Sequence, residues 1–158
     1  MGREGGLIDV HVHLPTKEFL IEAGGPHVEA ATRKIGHSIE LKTIEQMLEE
    51  YTDAGIDRIV LFAWDAETAS KRPRVANEFV SKIADNHPDR IIGFASIDPQ
   101  KKSAVKELDQ AVRELKLRGL KLHPQVQAFE PNDQKHYSIY SKCVELDVPI
   151  TFHTGSTN

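Results

Sequence analysis

Five short runs rich in β-branched and aromatic residues, with amphipathic helical patterns between them, constrain this chain more than any other feature. The runs are Leu7–His13, Arg58–Trp64, Ile91–Ile97, Gly119–His123 and Val148–His153. Apolar stripes at helical spacing cover Leu41–Ala54 (Ile44, Met47, Leu48, Tyr51) and Arg74–Asn86 (Val75, Phe79, Val80, Ile83). Two more cover Ser103–Leu117 (Val105, Leu108, Val112, Leu115) and Asp133–Leu146 (Tyr137, Tyr140, Val144). The punctuation agrees. Gly55 stops the first helix, Pro73 opens the second, and Ser103 and Asp133 are N-caps. Alternating strand and helix predict parallel βαβ units. Strands two to five start at residues 58, 91, 119 and 148, spacings of 33, 28 and 29. A (β/α)8 barrel averages about 31 residues per unit, but a doubly wound sheet has similar spacing, so spacing alone leaves both open. The first unit carries an insertion, 14–40, broken by Gly24-Gly25-Pro26. In a barrel it sits over the catalytic face. Its His27 and His37 read as loop histidines outside any ligand set.

Ligands in parallel α/β folds bind at the carboxyl ends of the strands, and the polar residues of this chain gather there. Strand one reads Ile8-Asp9-Val10-His11-Val12-His13, strand two ends in Trp64-Asp65 and strand three in Asp98-Pro99. Strand four ends in Lys121-Leu122-His123-Pro124, and strand five in His153-Thr154-Gly155. Period-two alternation puts Ile8, Val10 and Val12 on one face and Asp9, His11 and His13 on the other. Two imidazoles at i and i+2 are half of a metal site, or simply the wet side of an ordinary strand; the short pattern does not decide. In a closed barrel His153 crosses the mouth from strand one, and His11, His13 and His153 converge on one ion. Asp9 is then either an acceptor for a ligand imidazole or a structural carboxylate. Lys121 either contacts substrate or a metal-bound group, or lines the barrel as a satisfied lysine. Trp64 reads as packing before ligand contact. His87 and His136 fall in a turn and a helix.

Composition narrows the function classes. With 39% hydrophobic and 28% charged residues, the 158 residues make one ordinary globular domain. A net charge of −4 gives no pull toward nucleic acid or an anionic membrane. No apolar run approaches the ~20 residues that span a bilayer, and Met1–Gly6 lacks the apolar core of a secretory signal. The single cysteine, Cys143, excludes an internal disulfide, fits a reducing cytosol and reads as a buried, inert thiol. The expectation is a cytoplasmic protein with a small-molecule ligand.

Four segments in this order resemble the amidohydrolase superfamily: Ile8–His13, Arg90–Pro99, Arg118–Pro124 and Val148–Gly155. More narrowly, the chain resembles the amidohydrolase-related group of aminocarboxymuconate-semialdehyde and hydroxybenzoate-type decarboxylases with their related hydrolases. The resemblance runs the length of the chain. It implies a TIM barrel and a divalent metal, most often zinc, with manganese or iron as alternatives. His11 and His13 match the strand-one ligand pair and His153 the strand-five ligand. Lys121, His123 and Trp64 are the expected substrate-binding set.

The resemblance also implies what is missing. A full barrel of about 250 residues continues for roughly another hundred, with a catalytic histidine on strand six and a metal-binding aspartate on strand eight. Neither role falls on a residue here, and Asp65 and Asp98 do not substitute. The fold expectation is therefore a partial (β/α)8 barrel of about five parallel strands with flanking helices, not closed within the chain. The functional expectation is a truncated hydrolase or non-oxidative decarboxylase of a small carboxylate or cyclic substrate, weak or inactive alone. Open edges predict self-association or completion by another chain. The rival expectations are a TatD-like or PHP-like metal-dependent phosphoesterase and a non-catalytic scaffold or assembly module.

Overall fold

The structure, a computed structural model, describes residues 6–36 and 39–155. His37 lies outside the described residues. Strands β1 (Ile8–His13), β2 (Arg58–Phe62), β3 (Ile91–Ser96), β4 (Leu120–Leu122) and β5 (Ile150–Phe152) form one parallel sheet in the order β1-β2-β3-β4-β5. Each strand pairs with its neighbour in sequence. That order decides between the two architectures. A doubly wound sheet reverses at a switch point, whereas here every unit adds on the same side, as in a barrel. The result is a curled half-barrel with flanking helices that does not close within the chain.

Alternation along the strands sorts the core. Ile59, Leu61 and Ala63 point outward and pack with Met47, Leu48 and Ile83 from the helices. Val60, Phe62 and Phe94 form a smaller cluster on the inner face. Leu120 and Leu122 point outward onto Leu108 of α5 (Ala104–Arg113) and Ile139 of α7 (Tyr137–Glu145). This leaves Lys121 facing in.

Helix α2 (Ile44–Asp53) starts at a full capping box between Thr43 and Gln46 and ends before Gly55 at φ +75°. Pro73 does not open the next long helix. Val75 is held extended by an antiparallel bridge to Trp64, so α4 runs from Asn77 to Asn86 after the short α3 (Glu67–Ser70). Asp133 does cap, but the turn it caps is a 3₁₀ segment, Gln134–His136, ahead of α7. Ser103 stands at the N-cap position of α5 without capping; its hydroxyl bonds Glu107 instead.

Two further expectations need correction. The insertion is largely ordered helix, with a π-helical turn at Glu18–Ala23 and α1 at Pro26–Ile35. Gly25, at φ +40°, is the N-cap and Pro26 the first helical residue, so the Gly-Gly-Pro break is a helix start. Asp9 does not share a face with His11 and His13. Asp9 pairs with Ile59 and Val12 with Leu61, so three steps on β1 oppose two on β2. The extra residue breaks the period of two. Asp9 therefore turns out to the helices and bonds Tyr51, whose hydroxyl is pushed up to about 12 chiefly by burial. His11 and His13 still turn in, against Phe62.

The β1 edge is open, with Val10 64% exposed. Among the described residues no helix is long and apolar enough to cross a membrane. Leu108 is fully buried and Val144 is 82% exposed on the neighbouring helix. Leu108→Ala is expected to cost about 2–5 kcal/mol in urea unfolding, whereas Val144→Ala stays within about 0.5 kcal/mol.

Candidate functional site

The loops after β2, β3 and β4 are tied together by buried polar groups. Gln127, in the short helix α6 (Pro124–Gln127), donates from Nε2 to the carbonyls of Asp65 (2.6 Å) and Ile97 (2.8 Å). Its Oε1 accepts the backbone N–H of His123 at 2.8 Å. Asp98 accepts from the N–H groups of Thr68 (2.7 Å) and Gln100 (2.9 Å). Asp65 bonds Lys101 at 2.8 Å. Both strand-end aspartates are therefore engaged in holding loops.

Within that frame the imidazoles gather at one mouth. The ring centroids of His13 and His153 lie 5.4 and 6.1 Å from that of His11. His13 stacks on Phe19 at 4.6 Å, and His123 stacks on His153 at 3.9 Å. His27, from α1, stands 4.8 Å from His123 and 5.4 Å from Trp64. Trp64 is buried and also meets Phe19 and His13, so it serves as the wall behind these rings. Lys121 is only 1% exposed. Its Nζ lies 3.3 Å from His11 Nε2 and 4.9 Å from the centre of the Phe62 ring.

The electrostatics follow from burial. Desolvation, then the neighbouring positive groups, holds His13 well below the ordinary imidazole range. His11, His27 and His153 are lowered for the same leading reason. Lys121, with no carboxylate beside it among the described residues, is lowered to about 8 by burial. The Nδ1 of His123 accepts the Val126 N–H at 3.4 Å. In the neutral ring the proton is then on Nε2, which makes that atom a donor rather than a metal ligand.

The sequence model described as Amidohydrolase matches residues 8–158. The chain belongs to the amidohydrolase family. It is 26% identical to a 2-keto-4-carboxy-3-hexenedioate hydratase of a Sphingobium species, over 84% of this chain and 43% of the hydratase. An uncharacterised TIM-barrel protein from Bordetella bronchiseptica superposes with a TM-score of 0.78 at 26% identity, covering 96% of this chain and 56% of that one. A 5-carboxyvanillate decarboxylase from Novosphingobium aromaticivorans, solved with bound manganese, gives 0.69 at 20% identity, covering 99% and 53%. The chain thus spans about half the length of these relatives.

An amidohydrolase mouth implies a divalent cation, and the donor chemistry present fits one. His13 Nδ1 and His153 Nε2 are buried without a hydrogen-bond partner, which is costly unless something meets them. A backbone hydrogen bond with Gly155 engages the His153 ring, as the outer nitrogen of a ligand imidazole is normally held. The donors are gathered rather than closed. Among the described residues no three His, Cys, Asp or Glu side chains stand as a ready cation cage, and the Lys121 ammonium already meets His11.

His27 is the mouth residue that the sequence reading set aside. The signal that finds it is Pro26 after glycine: a helix beginning there projects His27 toward β4 and β5.

His123 carries a pH dependence. Burial first, then His153, His27 and Lys121, pushes it down from 6.5 to about 3. The unfolded ring takes its proton near 6.5, so below that pH the unfolded state binds more protons. The stability tied to the neutral ring is complete above pH 6.5 and is lost as pH falls toward 3. The urea midpoint of the metal-free chain is expected to drop between pH 7 and pH 4. His123→Asn, which keeps an acceptor for the Val126 N–H, flattens that drop.

Proposed function

We propose that this chain provides the metal-binding half of an amidohydrolase-family enzyme. The reaction class is hydrolysis or non-oxidative decarboxylation of a small carboxylate or cyclic substrate. The observation that carries this reading is the gathering of His11, His13 and His153 at the strand ends, with buried imidazole nitrogens left unpaired. In this reading these three residues hold a divalent cation. Imidazole donors suit zinc and its transition-metal neighbours, and the manganese in the decarboxylase structure adds manganese to the candidates. The cation supplies Lewis acidity toward a substrate oxygen.

The chain's own residues do the rest. Trp64, Phe19 and Phe62 exclude water around the rings. Lys121 places a positive charge on the floor of the mouth, where it attracts a carboxylate. His123 offers a proton donor at Nε2. Turnover by the 158-residue chain alone is expected to be weak or absent.

One observation favours a second reading, a scaffold that keeps the mouth without the metal: Lys121 Nζ stands 3.3 Å from His11 Nε2, where a cation would have to bind. Calorimetric titration of the purified chain with Zn²⁺ and Mn²⁺ separates the two. One equivalent is expected to bind, and His11→Ala, His13→Ala and His153→Ala each weaken it by at least about tenfold. Variants that bind as the parent does establish the scaffold. Lys121→Met removes a charge within contact distance of a ligand and is expected to tighten the cation by about tenfold.

A further inference from the structure

The insertion covers the mouth without joining the body of the fold. Neither its π-helical turn nor α1 runs its backbone along a strand or another helix. It touches the body through side chains. Phe19 stacks on His13 and meets Trp64 at 5.3 Å, and His27 meets Trp64 and His123.

A polar tie is dictated by Pro26. A π-helical turn bonds each carbonyl to the N–H five residues on, as the Gly24 N–H does to the Phe19 carbonyl at 2.7 Å. The carbonyls of Ile21 and Glu22 both look ahead to residue 26, one at five residues and the other at four. Proline has no N–H to give. The His27 N–H goes to the Gly24 carbonyl at 3.0 Å. Arg72, on the segment after β2, serves both waiting carbonyls. Its Nε donates to that of Glu22 at 2.8 Å and its Nη2 to that of Ile21. A cation there also meets the negative end of the turn's dipole. Lys17 holds the Glu22 carboxylate at 3.1 Å, which leaves the carbonyl to Arg72. Gly25, at φ +40°, leaves the space, since a Cβ there would run into the guanidinium.

Arg72 is itself well seated. Its N–H bonds Ser70 Oγ at 3.2 Å, which bonds the Ala66 carbonyl at 2.7 Å. The bridge between Trp64 and Val75 closes the loop around it. One loop therefore carries both the arginine and the tryptophan that the insertion covers.

We propose that Arg72 is the positioning residue of the insertion. Its two bonds latch residues 18–27 over the mouth, so that Phe19 and His27 stand against the rings. Released, this segment lifts as a unit and admits water to Trp64. The consequence for function rests on the reading that ligands enter at this mouth. The latch itself needs no cation, so its test uses the metal-free chain.

Backbone hydrogen exchange is read by mass spectrometry, and Trp64 by acrylamide quenching. Trp64 is the only tryptophan in the sequence and is 3% exposed. Arg72→Met is expected to speed exchange in residues 18–35 by at least about tenfold while β2 and β3 exchange as in the parent. Trp64 becomes severalfold more quenchable. Gly25→Val keeps the arginine but fills its seat, and gives the same local pattern. Arg33→Met, which removes an α1 guanidinium that makes neither bond, leaves both readouts unchanged. A general loss of structure speeds exchange in β2 and β3 as well. Unchanged exchange in Arg72→Met or Gly25→Val, equal quickening throughout the sheet, or a Trp64 as shielded as in the parent overturns the latch. An Arg33→Met chain that behaves like Arg72→Met also overturns it. The cation titration is read separately. A chain that binds no cation yet shows this pattern supports the latch and overturns the metal reading; one that binds the cation without the pattern overturns the latch alone.

Discussion

The mouth of the half-barrel depends on how the amide of Gln127 spends its hydrogen bonds. Two carbonyls and one N–H, from the segments following β2, β3 and β4, end on this one side chain. All lie where water is excluded, so each left unpaired costs about 1–3 kcal/mol. A side chain shorter by one methylene does not reach all three. Trp64 and His123 stand next to the tied backbone positions, so the ring wall and the donor imidazole take their places from an amide that touches no ligand.

The sheet sets the character of the site from the other direction. Outward residues are consumed by the helices and inner ones by Phe62 and Phe94. A polar residue on an inner-facing position therefore has only the mouth to go to. Lys121 is the extreme case, buried with an imidazole and an aromatic face as neighbours. An ammonium so placed favours anions and opposes metal cations. In the proposed reading the same site contains a competition: the lysine that would draw a carboxylate in would also resist an ion held by the three imidazoles. A carboxylate arriving at Lys121 offsets that resistance.

The sequence made the five strands and their mouth readable because both rest on local patterns. Runs of β-branched residues mark strands, and polar residues at their ends mark the ligand face. Sequential strand order needed coordinates, since spacing is the same in a reversing sheet. Asp9 was misplaced because a bulge breaks the alternation of side chains in space while the apolar/polar pattern of the sequence runs on unbroken. The start of α4 was misplaced because a non-local bridge between Val75 and Trp64 overrides a proline that locally favours a helix. His27 was passed over because glycine and proline mark both a break and a helix start. Gln127 left no trace at all: its partners are backbone atoms 4, 30 and 62 residues away, and backbone has no sequence signature.

The strictly sequential strand order also bears on how the chain assembles. Each new strand docks on the one made just before it, about thirty to fifty residues earlier, and never has to wait for a partner still to come. Loop-closure entropy grows only slowly over such distances. A chain emerging from the ribosome can lay down this sheet unit by unit from its first strand. His153 then arrives last, after the other imidazoles are already in place.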